Sequence, residues 1–268
     1  MNYHSDKWTM DCVREHYNEA LEYFPEDRIV CLALQGSQNY GLDYEGSDID
    51  TKLIVTPTFK EIAMNHKPVS TTHIRTNDEH IDFKDIRLYI QTFRKQNLNF
   101  LEILFTPYLI VNPIYKNEWD KLIDAREAIA HYAPYQAIKA MQGVAKEKYF
   151  AMEHHYPARM EWINKFGYDP KQLHHLLRVR EYIKRYINGE SYAYCMIPGN
   201  TDYLITVKKG LYSLDEARLL ANEAIEDIDS MCKEFTSTHN KEVDEKVDTL
   251  LDDVQYNIMK IAIKKEIG

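Results

Sequence analysis

Gly36-Ser37-Gln38-Asn39-Tyr40-Gly41, followed after five intervening residues by Ser47-Asp48-Ile49-Asp50, separates two short apolar runs. Residues 28–34 (RIVCLAL) read as a buried strand, because a continuous apolar run of this length suits a strand covered on both faces. Residues 48–55 (DIDTKLIV) read as a second strand, closed by Pro57. Alternate side chains on a strand share a face, so Asp48 and Asp50 point the same way, with Cα atoms roughly 6–7 Å apart. Ile49, Leu53 and Val55 then face the core. Two carboxylates on one face repel each other unless cations lie between them, and oxygen-only ligands suit magnesium bound to phosphates. Gly36 permits close backbone approach and Ser37 supplies a hydroxyl. If the chain turns helical there, its free N–H groups favour an anion. A Gly-Ser turn or an Asp-x-Asp pair alone is commonplace. Strand, Gly-Ser, Gly and Ser-Asp-x-Asp in this order and spacing describe one triphosphate and metal site.

The chain has 268 residues, 44% hydrophobic and 28% charged, as expected of a soluble protein of one large or two modest domains. Its net charge of −9 argues against strong non-specific nucleic-acid binding, while leaving room for a local basic cleft. Cys12, Cys31, Cys195 and Cys232 lack a CxxC spacing, which speaks against zinc. The start, MNYHSDKW, has no apolar signal core and no apolar run approaches about 18 residues. No membrane partner is expected, and a reducing, cytoplasmic setting is.

Working outward, Thr9 is the expected cap of a first helix over residues 10–24, ended by Pro25. After the second strand comes a polar loop rich in Asn, His and Thr. Residues 80–84 (HIDFK) read as a third strand, and Asp85 can cap a helix over residues 86–96. Another helix begins near Phe100. Pro107 and Pro113 suggest a boundary, giving an α/β domain at 1–110 and a helical domain at 111–268. The expected helices lie at 117–130, 134–155, 157–166, 170–188, 214–235 and 243–265, with an irregular connection over 190–210. Residues 139–188 carry a basic excess and the last fifty or so are acidic. An anionic ligand is therefore placed nearer the middle of the chain than its end.

The segment from the first strand through Asp50 resembles the signature of the nucleotidyltransferase superfamily that includes DNA polymerase beta. That resemblance implies an α+β fold: an N-terminal nucleotidyltransferase domain with a mixed sheet, then a C-terminal helical domain walling the cleft. It also implies two magnesium ions and a third carboxylate on a later strand. Asp82 is the candidate, because Ile81 and Phe83 alternate with it; Asp85 is the rival, with a good reading as a helix cap. Asn97-Leu98-Asn99-Phe100-Leu101-Glu102 resembles the Asn-Pro-Asn-x-x-Glu segment of the branch associated with RNA-repair pathways, with leucine where that branch has proline. Asp169-Pro170-Lys171 and His174-His175-Leu176-Leu177-Arg178 resemble its Asp-x-Lys…His-Leu-x-Arg helix.

The resemblance implies transfer of a nucleoside monophosphate from an NTP, most simply ATP, to an acceptor hydroxyl with release of pyrophosphate. Asp48, Asp50 and Asp82 would hold the metals, and Gly36 and Ser37 the terminal phosphates. Lys171, His175 and Arg178, at i, i+4 and i+7 on one helical face, either face solvent or close over the triphosphate. Glu102 is either a structural residue or a neighbour of the cleft. The acceptor stays open among an RNA 3′ end, a small molecule and a protein side chain. Two other readings stand beside this one: a catalytically degenerate nucleotide-binding module, and an antibiotic-modifying enzyme.

Overall fold

A computed structural model of the chain describes residues 3–268. Ser5, not Thr9, caps the first helix, α1 (Asp6–Ala20): its hydroxyl accepts the Trp8 N–H, and Thr9 is buried within the helix. The apolar periodicity located the helix but not its start, because the helix opens on the polar Asp6 and Lys7 and Trp8 stays exposed. Strand β1 (Ile29–Gln35) is buried at every position except Gln35. β2 (Asp50–Val55) follows, then the short helix α2 (Phe59–Ala63), fixed by a reciprocal Thr58–Glu61 capping box. β3 (Ser70–Ile74) and β4 (His80–Asp85) come next, with helices α3 (Ile86–Arg94) and α4 (Leu98–Leu101), then β5 (Leu109–Val111).

Among the described residues these strands form one sheet in the order β3-β4-β2-β1-β5. β2 runs parallel to β4, and the other neighbours are antiparallel, so the sheet is mixed. The fold class is α+β, as expected. β3 lies where a polar loop was expected. It is an edge strand with most side chains exposed, so it carries no apolar alternation to betray it. Val13 and Ala20 of α1 pack with Leu32, Leu34, Leu53, Val55, Ile81 and Phe83 on one sheet face, together with Ile49. This core fixes the strand register and leaves the alternate residues Asp50, Lys52 and Asp82 on the opposite face.

Helices α5 (Lys116–Asp124) and α6 (Arg126–Ala130) complete the segment before the helical unit. That unit contains α7 (Pro134–Ala151), α8 (Met160–Phe166), α9 (Pro170–Ile187), α10 (Tyr192–Met196), α11 (Thr201–Lys208) and α12 (Leu214–Thr238). α9 is central, packing against α7, α10, α11 and α12. α10 and α11 occupy the stretch expected to be irregular. Their caps, Ser191 and Asn200, are residue types that also mark loops, and Pro198-Gly199 interrupts the helical period.

The last helix, α13 (Glu245–Ile267), packs on α3 and α5. The chain accordingly divides into residues 1–132 with 243–268, and residues 133–242. This differs from the division at 110/111 read from the prolines. Arg94 donates to Asp248 at 2.7 Å and to Asp252 at 2.6 Å, and the Tyr132 hydroxyl donates to Asp248 at 3.0 Å. Contacts between residues so distant in sequence leave no local signal. No helix among the described residues is long and apolar enough to cross a membrane.

Candidate functional site

The turn after β1 depends on a glycine. Gly36 has φ +121° and ψ −157°, a conformation essentially restricted to glycine. Ser37–Tyr40 then make one 3₁₀ turn, ended by Gly41 at φ +69°. This is shorter than the α-helical start considered from sequence. Asn39 ties the turn down, donating to the Leu34 carbonyl at 3.2 Å and accepting the Thr106 hydroxyl at 2.6 Å. The Gly36 N–H, expected to meet a phosphate, donates instead to the buried Glu102 carboxylate at 2.9 Å. Glu102 is thus a brace for the turn, and Gly36 contributes its conformation. No described protein group takes the Ser37 hydroxyl.

The turn is joined directly to the acidic segment. Gln35 pairs with Asp50 in the β1–β2 register, and the Gln38 side-chain amide donates to the Asp48 carbonyl at 3.0 Å. Asp48 is exposed and precedes the strand proper. Asp50 opens β2, and its Oδ1 accepts the His80 N–H at 3.1 Å. Ile49, between them, is fully buried, so the two acids flank an anchored side chain.

Sequence reasoning missed the group that anchors the backbone here. Glu79 Oε1 accepts the Ile49 N–H at 3.3 Å. Its other oxygen accepts from Arg75 at 2.6 Å and from His16 Nε2 at 3.0 Å. His16 is wholly buried, and its Nδ1 meets the Thr51 hydroxyl at 2.9 Å. Burial alone would raise the Glu79 pKa. The hydrogen bonds and charges of His16, Asn77 and Arg75 outweigh it and hold the group at about 2. Glu79 and His80 therefore grip the acidic segment from the mouth of β4. Neither follows a motif; only the β2–β4 pairing brings them here.

Asp82 faces away from the core, as its alternation with Ile81 and Phe83 predicted, but its register partner is Lys52. Lys52 Nζ lies 3.0 Å from Asp82 Oδ2, and the Thr72 hydroxyl donates to Oδ1 at 2.6 Å. Burial raises the pKa of Asp82, but Lys52, Thr72 and Lys84 outweigh it and lower the value overall. Lys52 is 2% exposed, and burial lowers its pKa despite the Asp82 charge. The Phe100 ring covers this pair: Lys52 Nζ and Lys84 Nζ lie 4.1 and 4.4 Å from its centroid. Asn97–Glu102 thus braces the site twice, through Phe100 and through Glu102. Leu98 occupies the first position of α4, where proline is also well accommodated. Asp85 is buried and caps α3, accepting the Arg87 N–H at 2.9 Å and its guanidinium at 2.9 and 2.6 Å.

Among the described residues no group of three or more His, Cys, Asp and Glu side chains is gathered to hold a metal. Magnesium commonly uses one or two carboxylates and takes its remaining ligands from phosphate and water. Asp48 and Asp50 are the two carboxylates of this segment that such an ion would use. A second ion sharing Asp82 would have to displace the Lys52 ammonium.

In the helical unit, Asp169 caps α9 by accepting the Lys171 N–H at 2.9 Å. Arg178 is buried and Lys171 half-buried, so this face is packed and not simply solvated. Burial first, then His174, Arg178 and Lys171, push the His175 imidazole well below its ordinary pKa. The protonated form of His175 is therefore disfavoured, and the ring can offer only a neutral donor. His174 is structural: its Nδ1 lies 2.9 Å from the Leu204 carbonyl.

No protein-family model matches the chain, and no curated protein sequence matches it.

Proposed function

We propose that the protein is a magnesium-dependent nucleotidyltransferase, moving a nucleoside monophosphate from an NTP, most simply ATP, to an acceptor hydroxyl. The acceptor oxygen forms a bond to the α-phosphorus, the α–β phosphoanhydride bond breaks, and pyrophosphate leaves with those bonding electrons. The observation that carries this reading is the attachment of the Gly36-Ser37 turn to the Asp48–Asp50 segment, through the Gln35–Asp50 pairing and the Gln38–Asp48 hydrogen bond.

Asp48 and Asp50 would hold magnesium, which supplies Lewis-acid charge to the triphosphate and eases deprotonation of the attacking hydroxyl. The Ser37 hydroxyl donates to a phosphate oxygen. Within the helical unit, Lys171 and Arg178 are the candidate charge-assisted donors to an anion, and His175 a neutral one. Glu79, His80 and Glu102 act as positioning residues. A second reading, a nucleotide-binding module without transfer, is favoured by one observation: Asp82 is already neutralised by Lys52.

The deciding experiment incubates the chain with α-labelled NTPs, magnesium and three acceptor classes: RNA 3′ ends, small hydroxylated molecules, and the protein itself or other proteins. Transfer of label, lost in Asp48→Asn and Asp50→Asn with the fold intact, is the expected result. Saturable NTP binding with no labelled product in any arm would select the second reading. Full transfer by either variant would overturn the carboxylate assignment.

A further inference from the structure

The helical unit contains a cavity of about 580 Å³, within the range of small-molecule sites. It lies among α9, α11 and α12, on the side of α9 turned away from Lys171, His175 and Arg178. Arg180 follows Lys171 by nine positions, which at 100° per residue is half a revolution. The buried Leu177 and Leu204, with the half-buried Met231, supply apolar lining. Tyr203 gives an aromatic wall, its hydroxyl pKa raised by burial.

Two cations, Arg180 and Lys184, and two acids, Glu181 and Asp227, line the rim, but one of the acids is taken up by a cation outside it. Arg180 Nε is paired with Asp227 Oδ2 at 3.0 Å, which fixes the guanidinium while leaving its other donors for a ligand. Glu181 is spent on Arg185 at 2.7 Å and on the Gly199 N–H at 2.8 Å. Lys184, one turn beyond Arg180 on α9, is exposed and has no acidic partner among the described residues. A cation without a counter-charge, a second held in place, and an apolar and aromatic interior call for one kind of ligand: a small molecule with a planar aromatic body and one anionic group.

We propose that this cavity binds a small aromatic anion, a site independent of the nucleotidyl-transfer reading. The anionic group pairs with Lys184 and the free edge of Arg180, and the ring lies against Tyr203 above the leucines. A nucleoside monophosphate and an aromatic carboxylate share this chemistry, so both are probes.

The test is calorimetric titration of the full chain, in EDTA so that no metal bridges the Asp48–Asp50 segment. The ligands are AMP, indole-3-carboxylate, adenosine and inorganic phosphate, against wild type, Lys184→Met, Tyr203→Leu and Asp48→Asn. At least one of the two aromatic anions should bind at one site per chain. Adenosine and phosphate should bind at least tenfold more weakly than AMP where AMP is the ligand. Lys184→Met, at an exposed position that leaves the fold intact by circular dichroism, should weaken binding at least tenfold, and Asp48→Asn should leave it unchanged. Absence of binding by both aromatic anions up to millimolar concentration, or equal binding by Lys184→Met, overturns the proposal. Loss in Asp48→Asn also overturns it by placing the anion in the other unit, whereas failure of NTP labelling leaves it untouched.

Discussion

The buried Glu102 carboxylate accepts the Gly36 backbone N–H at 2.9 Å, joining the 3₁₀ segment after α4 to the turn after β1. Truncating the acceptor leaves that amide without this partner. Glu102→Ala should destabilise the chain by about 1–3 kcal/mol, and Glu102→Gln, which keeps an acceptor oxygen, by less. Gly36→Ala acts differently. An added Cβ would have ordinary room, 3.7 Å from the nearest atom, so the cost of about 1–3 kcal/mol is the backbone strain at φ +121°. Urea unfolding followed by circular dichroism reads all three. Wild-type stability in Glu102→Ala would mean that the bond does not hold the turn.

Lys52 and Asp82 should prove unequal partners. Lys52 is buried, while the Asp82 side chain is 34% exposed and can be solvated when left alone. Asp82→Asn strands a buried ammonium and should cost about 1–3 kcal/mol after allowance for that exposure. Lys52→Met should cost less, and Lys52→Met/Asp82→Asn should lie close to Lys52→Met. A double-mutant cycle in urea tests this; additive costs would show that the pair is uncoupled. Asp85→Asn keeps an oxygen for the α3 cap but weakens both guanidinium contacts with Arg87. Its effect should fall on stability and spare nucleotidyl transfer, whereas Asp82→Asn should lower both.

The placement of the candidate residues was legible where it is local. Gly36, Asp48 and Asp50 lie within one strand-turn-strand unit, and alternation with Ile81 and Phe83 sent Asp82 to the correct face. Strand alternation cannot say which residue of a neighbouring strand lies opposite. Pairing Asp82 with Lys52 requires the parallel β2–β4 register, and gripping Ile49 with Glu79 requires the same pairing. Likewise the Asn97–Glu102 segment gave a motif but no contact. Only the folded chain sets Phe100 over Lys52 and Glu102 under Gly36. The edge strand β3 and the joining of α13 to α3 and α5 depend on tertiary contacts as well.

Glu79 should make stability depend on acid pH. Its folded pKa, about 2, is depressed from an ordinary value of 4.5, so the folded state favours the carboxylate. The resulting stabilisation is fully present above about 4.5 and is lost as pH falls through about 2. Its upper limit is about 3 kcal/mol. Urea unfolding of wild type and Glu79→Gln between pH 5 and pH 2 should give curves that converge as the solution is acidified, with the variant less stable at pH 5. A constant difference across the range would show that ionisation of Glu79 does not stabilise the acidic segment.

The helical unit should respond in a higher window and for the opposite chemical reason. Burial drives His174 down to about 3, against the favourable bond to the Leu204 carbonyl, and drives His175 well below its ordinary value. Both rings are therefore neutral in the folded protein, whereas the unfolded chain protonates them near pH 6.5. Stabilisation from keeping them neutral is fully present above about 6.5. It falls as pH drops below that, toward about 3 for His174, by about 1.4 kcal/mol per pH unit for each ring, because the unfolded state binds the proton first. His174→Gln/His175→Gln cannot take up these protons. Its stability should be flatter than wild type between pH 6.5 and pH 5, a window above that of Glu79. Asp48→Asn should keep the wild-type slope. Equal slopes in wild type and the double variant would show that these imidazoles titrate alike in both states, and the packing of α9 against α11 would need another account.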